Sequence, residues 1–456
     1  MRSTRTASKT RPDQTSVATT SLAGTALALV LALTMLGAAC GTRDAPRSVG
    51  NHESGVPRAS AAPAEAATPA TPQRDPLLFL SGWREVVALD TDRGEVVMRA
   101  VDGQVAPDRS AIAQVVGNRV IAIDPATGAA TWEHTIPADR RVRVVAPGAK
   151  LIALVDGQLP QPSTPRRTTT ITIADAAGSR ELTIEGNVDP EAFTLDRRSL
   201  VAVEYLPAMN PDHYSVRLID LQTGAIRSVP DQPGHFPDNK PRPTMRGTAR
   251  TQVYSPDGRY LYTYYFAREG VDDGPHERYY AFVHVLDLER GEAYCIDLPP
   301  PFGTSAEGWS EPALSVTPDG SRLLVTDRLT GALAAIDTRT LDLAHVTTLD
   351  PAGSMLESLP TATTSADTLY LGLEREVLRI DPSTLEIIGR IETSAPVMGL
   401  KLDSSGEVLY AVTTHEVSVR DPAGTELDRW PLPPETSGRA DPAVAIPGSG
   451  AYQCAC

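Results

Sequence analysis

Ala122-Ile123-Asp124-Pro125-Ala126-Thr127-Gly128 ends one β-rich run and starts a tight turn. An Asp side chain accepts hydrogen bonds from the N–H groups of such a turn, and Gly supplies the positive φ that closes it. The same motif recurs as Leu218-Ile219-Asp220-Leu221-Gln222-Thr223-Gly224. Shorter copies are Ala88-Leu89-Asp90, Val285-Leu286-Asp287, Ala335-Ile336-Asp337 and Arg379-Ile380-Asp381-Pro382, with weaker ones at Asp175 and Asp421. Each reads as a hairpin.

A second hairpin precedes several copies. Ser255-Pro256-Asp257-Gly258-Arg259 runs into Tyr260-Leu261-Tyr262-Thr263-Tyr264. Thr317-Pro318-Asp319-Gly320-Ser321 and Asp403-Ser404-Ser405-Gly406-Glu407 are likewise followed by β-branched and aromatic residues. Two hairpins make a four-stranded unit. The eight anchoring Asp residues have a mean spacing of about 47 residues, and a four-stranded repeat of that period indicates a β-propeller. The expected fold is all-β: one propeller of about eight four-stranded blades over 76–456. The second unit is the weak point, since its anchor spacing is only 34 residues; were it degenerate, the ring would have seven blades. Leu77-Leu78-Phe79-Leu80 reads as a second strand, and Ala443-Val444-Ala445-Ile446-Pro447-Gly448 as a first strand without successors. Pairing the two terminal segments would close the ring and remove exposed edges.

These turns resemble the repeats of the YVTN and PQQ-like propeller families of bacterial envelope proteins. That resemblance implies the blade and leaves the function open, because propellers serve as enzymes, scaffolds and receptors.

The N-terminus reads as an address. Arg2, Arg5, Lys9 and Arg11 precede an apolar run from Leu22 to Ala39 that ends Leu36-Gly37-Ala38-Ala39-Cys40. This is the pattern of a secretory signal peptide over 1–39. Cys40 after small residues resembles a lipobox, in which the thiol is lipidated and becomes the mature N-terminus. The favoured Leu sits one place early, so an uncleaved anchor or plain secretion stays open. Each reading places the rest of the chain outside the cytoplasmic membrane. From Cys40 to 75 the chain is rich in Pro, Ala, Ser and Thr, a flexible tether with a reach of roughly 30–35 Å. A lipidated chain would stand on the outer face of the cell membrane, within reach of membrane-protein ectodomains.

Composition narrows the function. Acidic residues outnumber basic ones 57 to 42, for a net charge of -15, which argues against a nucleic-acid partner. Hydrophobic residues make up 41% of the chain, enough for a core, and 39 Pro with 34 Gly suit many short strands. No Gly-x-Ser-x-Gly, His-Glu-x-x-His or phosphate-loop motif occurs, so no catalytic residue, metal site or cofactor is expected. Asp124 to Trp132 resembles the tryptophan-docking motif of quinoprotein alcohol dehydrogenases, where the Trp holds neighbouring blades together.

The long connections, about 157–168, 206–213, 228–248, 266–280 and 299–312, all belong to the B–C and D–A set and should cluster on one rim. They carry Tyr205, His213, Tyr214, His235, Phe236, Arg246, His276, Arg278, Tyr279, Phe302 and Trp309. Aromatic and Arg side chains of this kind anchor protein interfaces. Packing within their own loops is the plainer reading for each taken singly. Val271-Asp272-Asp273-Gly274-Pro275-His276-Glu277 matches no established metal loop and reads as a solvated acidic turn. Of the remaining cysteines, Cys295 is expected to be inert and buried in an outer strand, while Cys454 and Cys456 form an unassigned tail.

The expectation is a monomeric, lipid-anchored binding or scaffolding module for an envelope protein or glycan. The alternative is a propeller enzyme with an axial-channel site, lactonase-like or quinoprotein-dehydrogenase-like.

Overall fold

A computed structural model describes residues 75–81, 85–157, 165–211, 213–229, 249–269, 278–304, 312–349 and 360–433. All belong to the compact unit Pro69–Cys456. Residues 1–74, with the signal-peptide, lipidation and tether readings, lie outside this set, as do 443–448, Cys454 and Cys456.

The chain forms eight antiparallel sheets in sequence order. Blade 1 holds β1 (Leu77–Ser81), β2 (Glu85–Asp90) and β3 (Val96–Val101). Blade 2 holds β4 (Gln104–Val105), β5 (Ile112–Val116), β6 (Arg119–Ile123) and β7 (Ala130–Thr135). Blade 3 holds β8 (Arg140–Val145), β9 (Ile152–Asp156), β10 (Thr168–Asp175) and β11 (Gly178–Glu185). Blade 4 holds β12 (Asn187–Phe193), β13 (Ser199–Leu206), β14 (His213–Asp220) and β15 (Ile226–Ser228). Blade 5 holds β16 (Ala249–Tyr254), β17 (Tyr260–Glu269), β18 (Arg278–Asp287) and β19 (Glu292–Leu298). Blade 6 holds β20 (Pro312–Val316), β21 (Arg322–Asp327), β22 (Ala332–Asp337) and β23 (Leu343–Thr348). Blade 7 holds β24 (Thr361–Thr364), β25 (Leu369–Leu373), β26 (Glu376–Ile380) and β27 (Ile387–Glu392). Blade 8 holds β28 (Val397–Leu402), β29 (Leu409–Thr413), β30 (Glu416–Arg420) and β31 (Glu426–Pro431).

The doubtful second unit is therefore a complete blade. It fits a short repeat because its inner strand β4 has only two residues. Blade 1 has three strands among the described residues, and the Asp90 turn between β2 and β3 makes β1 a second strand, as expected.

Burial follows position in the blade. Inner and middle strands such as β12 and β21 are buried along nearly their whole length, whereas outer strands such as β7 and β27 are mostly exposed. Apolar faces pack blade against blade. Tyr262, Tyr264 and Phe266 of blade 5 meet Leu323, Val325 and Ile336 of blade 6. Comparable clusters join every other neighbouring pair. Leu78, Leu80 and Val87 of blade 1 meet Tyr410, Val417 and Trp430 of blade 8, so the last blade packs on the first and the ring closes. The fold is an eight-bladed β-propeller.

Candidate functional site

The two faces of the ring differ sharply. On one, the A–B and C–D turns are none longer than six residues. Anchoring carboxylates hold them. Asp220 Oδ1 accepts the N–H groups of Gln222 at 3.0 Å and Thr223 at 2.7 Å. Asp90, Asp124, Asp175, Asp287, Asp337, Asp381 and Asp421 accept equivalent bonds. Backbone N–H donors hold the carboxyls of Asp220, Asp337 and Asp381 below the usual range.

Four of the expected long connections leave from the opposite face: Asp156 to Thr168, Ser228 to Ala249, Glu269 to Arg278 and Leu298 to Pro312; the fifth, Leu206 to His213, is corrected, since pairing of β13 with β14 to the ends of both strands leaves a link no longer than the tight turns. A further long connection, Thr348 to Thr361, escaped the sequence reading. The reading at 266–280 is corrected: β17 and β18 pair out to Glu269 and Arg278. Tyr262, Tyr264 and Phe266 bury one face of β17 against blade 6, which carries the pleat past the expected loop start.

The residues singled out on this face divide. Tyr205 and Tyr214 are buried in β13 and β14 and form an aromatic stack with Tyr265 and Phe282 of blade 5. Phe302 is 1% exposed, in the core between blades 5 and 6. These three pack the ring itself. His213 pairs with Leu206 at the end of the β13–β14 hairpin, and Arg278 and Tyr279 pair with Glu269 and Arg268. His235, Phe236, Arg246, His276 and Trp309 lie outside the described residues, as does the 271–277 loop. Cys295 is half-buried in β19 against the aromatic stack. His284, its register partner, is fully buried, and burial lowers its pKa to about 4, so the imidazole is neutral.

Nothing in the sequence reading pointed to the inner strands, yet they carry the buried charge. Arg143 on β8 donates from Nε and Nη2 to the two oxygens of Asp189 on β12, both at 2.7 Å, and reaches Glu191 at 3.7 Å. Gln252 on β16 donates to Glu191 at 2.5 Å. This chain links the inner strands of blades 3, 4 and 5. Tyr254, two residues beyond Gln252, is held above its usual pKa by burial and by the Glu191 charge.

Beside Tyr254, on the tight-turn face, the turns of blades 2 to 5 enclose a cavity of about 140 Å³. Phe193, Val145 and Tyr254 line it, with Lys150, Arg197 and Asp108 also at its wall. Pockets for drug-sized ligands run to roughly 300–1,000 Å³, so this one admits a few heavy atoms. No group of three or more His, Cys, Asp or Glu is placed to hold a metal among the described residues.

The indole of Trp132 does what its motif implies. Its Nε1 donates to Ala149 O of the next blade at 3.2 Å. Trp430 plays a similar part at the seam: it packs into the blade 1–blade 8 cluster, directly against Gly94.

No protein-family model matches the chain, and no curated protein does. Solved structures do. One is dihydro-heme d1 dehydrogenase NirN, with 17% identity, a TM-score of 0.47, and coverage of 81% of this chain and 76% of that one. Kuenenia stuttgartiensis hydrazine synthase shows 15% identity, a TM-score of 0.41, and coverage of 70% and 93%. Saccharomyces cerevisiae Sqt1 shows 12% identity, a TM-score of 0.44, and coverage of 78% and 88%. At these identities the likeness is one of fold.

Proposed function

We propose that this chain is an extracytoplasmic binding module of the YVTN/PQQ-like repeat type, monomeric and held at the outer face of the cell membrane by a lipid on Cys40. It engages an envelope protein or glycan through the face that carries the long connections. One observation carries the reading. Every connection longer than a tight turn leaves the same face, and all come from blades 3 to 6 and the junction to blade 7. A rigid ring that gathers its long loops over one arc presents one continuous surface.

Cross-linking in intact cells, read by mass spectrometry, tests the proposal. The native protein is compared with a variant in which a short Gly/Ser link replaces 230–248, both checked for equal thermal midpoints. A partner captured by the native chain and lost from the variant supports the reading. No partner, or one captured equally by both, overturns it and turns attention to axial chemistry of lactonase or quinoprotein-dehydrogenase type, which bound quinone absorbance or stoichiometric calcium would reveal.

A further inference from the structure

The cavity on the tight-turn face is walled by one device used four times. The A–B turns of blades 2, 3, 4 and 5 are 106–109, 146–149, 194–197 and 255–258. Each closes by a bond from the N–H of its last residue to the carbonyl of its first, at 2.8 to 2.9 Å. Leu288 braces the last two, since its carbonyl accepts the Leu195 N–H at 3.0 Å and its own N–H donates to Arg259 O at 2.8 Å. The hollow is therefore preformed. Val145, Phe193 and Leu288 give it buried apolar surface. An apolar cavity of roughly 150 Å³ takes up benzene, so this one, at about 140 Å³, has room for a six-membered ring. An apolar hollow in a close-packed interior forfeits contacts until it is filled.

The polar side chains of the wall give the cavity a sign. Asp108, Lys150 and Arg197 are exposed and so mark its open side. Asp108 Oδ1 already accepts the N–H and the hydroxyl of Ser110, at 3.3 and 2.8 Å. The side chains of Lys150 and Arg197 enter no hydrogen bond or ion pair with the described residues. Two cations with open donors thus stand at the mouth against one carboxylate that is engaged. Tyr254, half-buried in the wall, likewise makes no hydrogen bond through its hydroxyl among the described residues.

We propose that this cavity binds a small aromatic carboxylate of about the size of benzoate. The ring fills the apolar hollow, where Phe193 and Tyr254 offer aromatic surface to a flat partner. The carboxylate stays at the open side and accepts from Arg197 and Lys150. Exposed cations alone hold an anion weakly in water. Burial of the ring therefore supplies most of the affinity, and the cations select the charge. The site lies on the face opposite the long connections and does not rest on the partner proposed there.

Titration calorimetry on the purified full chain tests this, with benzoate, benzamide and acetate in separate arms and ionic strength held constant with potassium chloride. Saturable binding of benzoate is expected. Benzamide, which keeps the ring without the charge, should bind about fivefold or more weakly, and acetate, which keeps the charge without the ring, should show no saturable binding. Arg197 closes its turn at φ 57, in the place that Gly258, Gly320 and Gly406 hold in blades 5, 6 and 8. Arg197→Gly therefore suits the turn and should melt like the native chain, yet weaken benzoate about fivefold or more. Leu195→Trp, at an exposed position of the wall, should fill the opening and abolish binding. The absence of saturable benzoate binding overturns the proposal. So does benzamide that binds as tightly, or benzoate binding that survives unchanged in both variants when they melt like the native chain.

Discussion

Arg143 carries more at stake than any other single side chain described. It is 2% exposed, Asp189 is fully buried, and their paired bonds join two blades. Removing one member of such a pair strands a charge in the interior, at a cost of about 3–5 kcal/mol. Arg143→Met should lower the free energy of urea unfolding by that amount while the native circular dichroism persists. A loss under ~1 kcal/mol would mean that other polar partners satisfy Asp189 and Glu191 without the guanidinium. This pair was invisible in the sequence, and the reason is physical. Its partners lie 46 residues apart on different inner strands, and nothing local marks either one. Asp124 and Asp220 were legible because their bonds go to residues two or three places on. Tyr205, Tyr214 and Phe302 carried the composition of an interface, but only packing could place them in the interior.

At the scale of the element, glycines at equivalent turn positions separate two causes of turn chemistry. Gly128 and Gly94 share a φ of 67. A side chain at Gly128 meets nothing within 4 Å, so Gly128→Ala costs only backbone strain, about 1–2 kcal/mol. A Cβ at Gly94 would stand 2.1 Å from Trp430 Cγ. Gly94→Ala must therefore also displace an indole from the seam between blades 8 and 1, and should destabilise clearly more than Gly128→Ala in parallel melts. Equal losses would show that the indole shifts freely and does not hold the seam. The hairpin turns could be read from sequence because Asp and Gly have local roles there. The two-residue β4 could not, since its pairing with β5 is set by the neighbouring blades. Nor could the extension of β17, where burial of alternate aromatics overrides the loop-like character of 266–269.

For the whole molecule, closure makes each interface depend on all the others. An open array of repeats can unfold piecemeal. Here the last blade packs on the first, and no seam opens without exposing the next. Trp132 reports on the junction of blades 2 and 3, Trp430 on that of blades 8 and 1. Single-tryptophan variants that retain one or the other should show the same urea midpoint. Separated midpoints would reveal a ring that fails seam by seam. Blade number and ring architecture were legible because the repeat is periodic; the terminal pairing expected between 76–81 and 443–448 lies beyond the described residues.

The unequal faces also set where this protein can change over evolutionary time. On the Asp-anchored side, one inserted residue would carry a carboxylate out of reach of the N–H groups it serves. On the other side, lengthening an existing loop adds only a logarithmic entropy cost, about 0.6 kcal/mol for each doubling. Descendants of this chain can thus be expected to vary in length at these five long connections and to keep the rest of the described ring fixed. Lineages would acquire new specificities by editing one rim, with the scaffold beneath inherited intact.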